Sequence, residues 1–333
     1  MTGQRLLVTG AAGFIGSNFI RYWLDRHPES HVVALDLLTY AGDRRNLDGL
    51  DVRLVEGDIG DRELVERVLA EEKIEVVVNF AAESHNSLAV LDPTRFFRTN
   101  VLGTQTLLEA SRRHAVDCFH HVSTCEVYGD LRLDSDDAFT EESPYRPRTP
   151  YNASKAAADH AVRAYFEAFG LPVTITNCSN NYGPRQFPEK VVPLFLTNAL
   201  DDRELPLYAS TQNRREWLHV DDHCRAIELV LERGRVGETY NVGSGDEHSI
   251  EEIADLVLAL TGKPKSLKTV VPDRPGHDRR YLLDSSKLRH VLGWQPEVSF
   301  QDGLRATVEW YAANRSWWGP LKARAPVVET AWR

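Results

Sequence analysis

Leu6-Leu7-Val8-Thr9-Gly10-Ala11-Ala12-Gly13-Phe14-Ile15-Gly16 is the stretch that decides the fold. Its apolar start reads as a buried strand, its glycines as a tight turn, and the periodic run Ile15–Arg26 as a helix opening straight from that turn. Gly10 permits the turn, Gly13 lets a pyrophosphate approach the backbone, and Gly16 lets helix and strand pack closely. Unpaired N–H groups at the helix start then face the phosphate charge. The next strand, Val32–Leu35, delivers Asp36, 20 residues after Gly16, where a carboxylate binds adenosine ribose hydroxyls. That carboxylate repels a 2′-phosphate, so the spacing predicts NAD rather than NADP. Asp58-Ile59, after a third strand, reads either as an adenine contact or, for Asp58, as a helix N-cap.

Outward from this unit the alternation continues. Arg5–Thr9, Val32–Leu35, Val52–Glu56, Val76–Phe80, Phe119–Ser123 and Val173–Asn177 read as strands, with helical patterns at Ile15–Arg26, Asp61–Glu71 and Thr104–His114. The pattern predicts an α/β chain with a doubly wound parallel sheet and a smaller C-terminal substrate domain. Prolines and loops become common after residue 180, and two helical runs follow near Ile250–Thr261 and Phe300–Asn314. The expected division is residues 1–177 plus about 213–240 for the dinucleotide domain, and about 178–212 plus 241–333 for the substrate domain. The tail from Trp317 is expected to pack on the smaller domain.

Composition narrows the function classes. A net charge of −10 argues against a non-specific nucleic-acid binder. No apolar run reaches the roughly 18–20 residues that a membrane span needs. Cys118, Cys125, Cys178 and Cys224 show no metal-binding spacing and are too few for a disulfide framework. No metal is expected, and a reducing cytoplasm fits this cysteine usage and the strand that begins almost at the first residue.

Tyr151-Asn152-Ala153-Ser154-Lys155 places a phenol and an ammonium four residues apart on one helix face. A phenol near pKa 10 is a poor base at pH 7. A neighbouring ammonium favours the phenolate, so Lys155 is expected to make Tyr151 a base for oxidising a sugar hydroxyl and to bind the nicotinamide ribose. Ser123-Thr124, ending a strand, would flank the same place.

Together these segments resemble the extended short-chain dehydrogenase/reductases with a Rossmann sheet, specifically the dTDP-glucose 4,6-dehydratase group. The matching stretches include TGAAGFIGSNFI, NFAAESH, STCEVYGDL, PYNASK, TNCSNNYGP, FPEKVVPLF, RREWLHVDDH, YNVGSG and DRPGHDRRYLLD, and they span nearly the whole chain. The resemblance implies tightly held NAD, a nucleotide-sugar substrate and a homodimer. It implies that Tyr151 takes the 4-OH proton, Thr124 binds that hydroxyl and Glu126 removes the C5 proton. It puts Phe14, Ile15, Ala81 and Asn181 beside NAD, and Ser84, His85, Asn180 and Arg215 on the diphosphate-sugar. Lys190, Asn241, Arg274 and His277 fall on the nucleotide side.

Two departures mark this chain. The family usually has Asp between the Thr and Glu, where this chain has Cys125. That Asp protonates the departing C6 oxygen; a thiol near pKa 8.5 still carries a proton at pH 7, so Cys125 could donate it, or could be a buried filler or an introduced substitution. After His85 the family commonly has Val-Asp and then Arg or Asn, against Asn86-Ser87-Leu88 here. Four readings therefore stand: a 4,6-dehydratase, a 5,6-dehydratase of the UDP-N-acetylglucosamine type, an epimerase acting through the 4-ketone, and a catalytically silent NAD-sugar-binding module.

Overall fold

The computed structural model describes residues 3–273 and 275–325. Its strands run β1 (Arg5–Thr9), β2 (His31–Asp36), β3 (Arg53–Glu56), β4 (Val76–Asn79), β5 (Cys118–Thr124), β6 (Val173–Cys178), β7 (Asn180–Tyr182), β8 (Leu205–Tyr208), β9 (Arg214–His219), β10 (Thr239–Val242), β11 (Glu247–Ser249) and β12 (Lys268–Val271). Seven of them form one sheet in the order β10-β6-β5-β4-β1-β2-β3, every neighbouring pair parallel. The doubly wound parallel sheet is thus present, and its six expected strands fall within two residues of their expected limits.

Both faces of this sheet are covered, which is why its strands are apolar runs rather than alternating ones. Leu7, Val33, Leu35 and Val77 pack on Val65, Leu107 and Val162 of one helical layer. Leu6, Val8, Ala34 and Val78 pack on the other side against Phe19, Trp23 and Ile227. Successive strand residues thereby feed two separate cores.

The smaller lobe has its own core. Phe195, Trp217, Ile253, Leu304, Tyr311 and Trp318 pack together between β9 and the helices Val191–Leu200, Ile250–Thr261, Phe300–Ala313 and Arg315–Arg324. Its three-stranded sheet runs β11-β9-β7, and β8 pairs with β12. The expected division of the chain needs correcting here. Residues 214–219, assigned to the dinucleotide domain, pair with β7 and β11 in the small sheet, and Trp217 enters the small core. Conversely β10 extends the large sheet to Val242, pairing with β6. The helix Val220–Arg233 does return to the large lobe, against Phe14–Arg26. Of the tail, Trp317 and Trp318 pack as expected with the small core, while Trp317 Nε1 also donates to Asn46 Oδ1 at 2.9 Å; residues 326–333 lie outside those described.

Candidate active site

A cavity of about 650 Å³ opens at the carboxyl ends of the parallel strands and extends into the small lobe. Its floor crosses the gap between β1 and β4, where the strand order reverses and α/β sheets bind ligands.

At one end the wall is backbone. Gly10 has φ +63°, and a Cβ there would lie 2.7 Å from the Ala81 nitrogen. A Cβ on Gly16 would lie 2.4 Å from the Gly10 oxygen, so the helix sits directly on the turn. Gly13 caps the helix Phe14–Arg26 with no side-chain hydrogen bond, and its first turn holds no acid. By contrast Asp61, Thr149, Ser249 and Ser299 cap their helices with side chains. The first N–H groups after Gly13 are therefore left for a ligand anion. Asp36 ends β2 on the cavity wall, accepting from Ala12 N at 2.9 Å and Leu38 N at 2.7 Å. Burial raises its pKa, and these two N–H bonds oppose the rise. Phe14, Ile15, Asp58, Ile59 and Ala81 line the same end. Asp58 is not the cap of the following helix: it accepts from Gly60 N in a turn, while Asp61 caps.

At the far end of the sheet the wall is side chains. Tyr151 and Lys155 project from the helix Pro150–Phe169 beside Thr124 and Glu126, just past β5. Thr124 adjoins Tyr151 on the cavity wall, and its Oγ1 accepts from Glu126 N at 3.3 Å. Asn86 Nδ2 donates to Glu126 Oε2 at 3.0 Å. Lys155 Nζ donates to Val122 O at 2.8 Å and lies 3.2 Å from His121 Nε2. Behind it Asp159, fully buried, accepts from Ser123 and Tyr145 hydroxyls, each at 2.9 Å. Burial lowers the Lys155 pKa, and the Asp159 charge opposes this.

Burial pushes the Tyr151 pKa well up, the Glu126 charge adds to that, and the Thr124 hydroxyl counters it. The Lys155 ammonium points at Val122 O.

Toward the small lobe, Asn180, Asn181, Lys190, Arg215 and His277 line the cavity. Asn180 Oδ1 is buried without a hydrogen-bond partner, as a ligand-binding amide would be. Asn181 is fixed by His223 Nδ1 at 2.9 Å. Arg215 lies over the Tyr281 ring at 4.6 Å with its nitrogens on backbone carbonyls. Lys190 Nζ donates to Ser84 O at 2.7 Å, and His85 Nε2 lies 3.6 Å from Glu189 Oε2.

Residues 7–307 match the family model described as GDP-mannose 4,6 dehydratase. The chain belongs to this family. It is 49% identical over 328 residues to a dTDP-glucose 4,6-dehydratase of Streptomyces niveus, covering 96% of each chain. The same identity, over 322 residues and 96% of each, holds for a dTDP-glucose 4,6-dehydratase of Mycobacterium tuberculosis. Among solved structures it is similar to DesIV, the dTDP-glucose 4,6-dehydratase of Streptomyces venezuelae with NAD and TYD bound. There the identity is 49% and the TM-score 0.92, with 96% of this chain and 100% of that chain covered.

Against the family pattern, three expected site residues stand apart. Asn241 is not on the cavity: it is fully buried in β10, accepting from Tyr128 OH at 2.8 Å and donating to Phe139 O at 2.9 Å, so it braces a loop. Arg274 lies outside the described residues. Cys125 is 1% exposed and packs with Val127, Tyr128, Ala156, Tyr281 and Leu283 rather than forming cavity wall. Burial, with the Glu126 charge, pushes its thiol pKa well up, so it keeps its proton but holds it in an apolar cluster.

Other contributors went unnoticed in the sequence. Asn100, in the π-helical turn Phe97–Gly103, bonds both Glu83 N (2.8 Å) and Ser154 Oγ (2.8 Å), tying the loop after β4 to the Tyr151 helix. Glu189, on the cavity wall, accepts from Tyr40 OH at 3.0 Å. Glu189 lies within FPEKVVPLF and Asn100 within TNVLGTQTLLEA, stretches shared with the family, but no spacing rule singles out either residue.

Proposed function

We propose that this chain is an NAD-dependent dTDP-glucose 4,6-dehydratase, converting the nucleotide sugar to its 4-keto-6-deoxy form with loss of water. The observation that carries the reading is a single cavity lined by Gly10 and Asp36 at one end and by Thr124, Glu126 and Tyr151 at the other. The bare glycine turn and the Asp36 carboxylate fit a dinucleotide's pyrophosphate and ribose. A dinucleotide held there would supply reversible hydride transfer, between C4 and C6 of the sugar.

The chain's own groups move the protons. Tyr151 accepts the proton of the C4 hydroxyl, with the Thr124 hydroxyl stabilising the phenolate. Lys155, held on Val122 O, keeps further N–H bonds for a ribose. The 4-ketone acidifies the C5 hydrogen, Glu126 removes it, the C6 hydroxyl departs as water, and Glu126 returns its proton to C5 as C6 is reduced. Cys125 stands where the proton for that oxygen is expected, but its burial makes it a poor donor, so dehydration is the slow step. Asn180 and Arg215 hold the diphosphate, with Ser84, His85, Lys190 and His277 toward the sugar and nucleoside.

The exposed Leu102 (61%) and Phe169 (57%), on the packed segments Phe97–Arg113 and Pro150–Phe169, support a homodimer across that face. The four free cysteines support a cytoplasmic setting.

The test is dTDP-glucose carrying deuterium at C4, with the product read by mass spectrometry and NMR. Water loss with deuterium at C6 supports the reading. Water loss with deuterium kept at C4 replaces it with a 5,6-dehydratase, an altered sugar without water loss with an epimerase, and no turnover with a binding module.

A further inference from the structure

Asn86 bridges three elements at the chemistry end. It opens the short helix Asn86–Leu91, lines the cavity, and donates from Nδ2 to Glu126 Oε2 at 3.0 Å. Its Oδ1 accepts from Thr149 Oγ1 at 3.0 Å. Thr149 is the N-cap of the helix that carries Tyr151, and its Oγ1 accepts from Asn152 N at 3.2 Å.

These bonds have a fixed direction. A backbone N–H can only donate, so Thr149 Oγ1 accepts from Asn152; an ionised Glu126 carboxylate can only accept, so the Asn86 oxygen turns to Thr149 and takes its hydroxyl hydrogen. That leaves the Asn86 NH₂ for the carboxylate. A flipped amide would set oxygen against oxygen at Glu126. Thr149 and Glu126 are both buried, so each misplaced hydrogen carries the cost of an unmet buried polar group.

We propose that Asn86 is a positioning residue for Glu126, fixing the carboxylate in the cavity, favouring its ionised form and tying it to the cap of the Tyr151 helix. The proposal rests on the reading of Glu126 as the C5 base and adds the group that aligns that base. The Glu126 charge raises the pKa of Cys125 in its own turn, Tyr151 of the Pro150–Phe169 helix, Cys178 at the end of β6, and Tyr281. The Arg215 guanidinium acts in the opposite direction on Cys125 and Tyr281. Asn86 acts on Glu126 differently, as a neutral donor that prefers the charged carboxylate.

Two variants separate alignment from mere packing. Asn86→Ala removes the donor and also the acceptor for Thr149. Asn86→Asp keeps an acceptor for Thr149 but sets a second carboxylate against Glu126. Full-length protein with ¹³C-labelled glutamate carboxyls, assigned by Glu126→Gln, reports the Glu126 titration midpoint. The expected result is a rise of about one pH unit in Asn86→Ala and a larger rise in Asn86→Asp. On dTDP-glucose, kcat falls by about tenfold with KM nearly unchanged, because alignment rather than binding is lost. The acid limb of the kcat profile moves to higher pH, since the base must be ionised to act. A midpoint unmoved in both variants overturns the proposal; if Asn86→Ala does not fold, the near-isosteric Asn86→Asp decides alone. Wild-type protein without turnover, or Glu126→Gln with full turnover, refutes the functional reading instead, and the carboxyl titration still judges Asn86.

Discussion

The two ends of the cavity are built from different material. At the glycine turn the ligand surface is mostly main chain, shaped largely within one strand, one turn and one helix start, with Ala81 closing against Gly10 and Asp36 added from β2. At the Tyr151 end it is side chains, each held by a partner far away in sequence: Asn86 is 40 positions from Glu126 and 63 from Thr149. A backbone site needs only local conformation, so it tolerates varied neighbours but no Cβ at its tight points. A side-chain site needs the whole sheet assembled before any of its bonds exist.

If the two ends are separable, single substitutions should split cofactor retention from turnover. Tyr151→Phe removes the base and should lower turnover by about 10²–10⁴ while the purified protein still retains its dinucleotide; loss of the dinucleotide as well would break the distinction. Gly10→Val is the mirror case. Its branched side chain would meet Ala81 N at 2.7 Å in a left-handed backbone, a cost of about 3 kcal/mol or more. Dinucleotide absorbance should disappear from the purified protein and its Tm should drop, although Tyr151, Thr124 and Glu126 are untouched.

Cys125→Asp probes the chemistry end more gently. A carboxyl in that buried place keeps a proton that it can give up more readily than a thiol, and turnover should rise by about tenfold with dinucleotide content unchanged. A fall in steady-state rate would show that C6 protonation does not limit this chain.

The smallest effect lies beneath both ends. His120 is fully buried between Thr174 and Thr176 at 2.8 and 3.1 Å, and burial pulls its pKa down to about 3. The unfolded chain takes up that proton near pH 6.5, so the stability is intact above that value and drains away as pH falls toward 3. The Tm should decline between pH 6 and 4, and His120→Gln should show a shallower slope; equal slopes would place the acid sensitivity elsewhere.

What was legible in the sequence follows the same division. The glycine turn, Asp36 and the strands from β1 to β6 are local patterns, and periodicity placed them within two residues. The Tyr–Lys spacing placed both residues on one helix, but the hold of Val122 O on Lys155 comes from β5, which no helical spacing contains. Asn241 matched a motif yet turned inward, because Tyr128 and Phe139 reach it across the sheet edge. Cys125 stood out as a departure from a pattern, but its apolar surroundings are completed by Tyr281 and Leu283, more than 150 residues on. The small lobe was hardest, since the chain enters and leaves it twice and β9 looks like any other strand.

That strand has a mechanical consequence. His219 ends β9 and is at once the N-cap of the helix Val220–Arg233, so one unbroken segment runs from the small core into the large one with no spare length between them. A seam stitched in this way leaves no slack for one lobe to melt while the other stands, and calorimetry should record a single heat-absorption peak for the entire molecule.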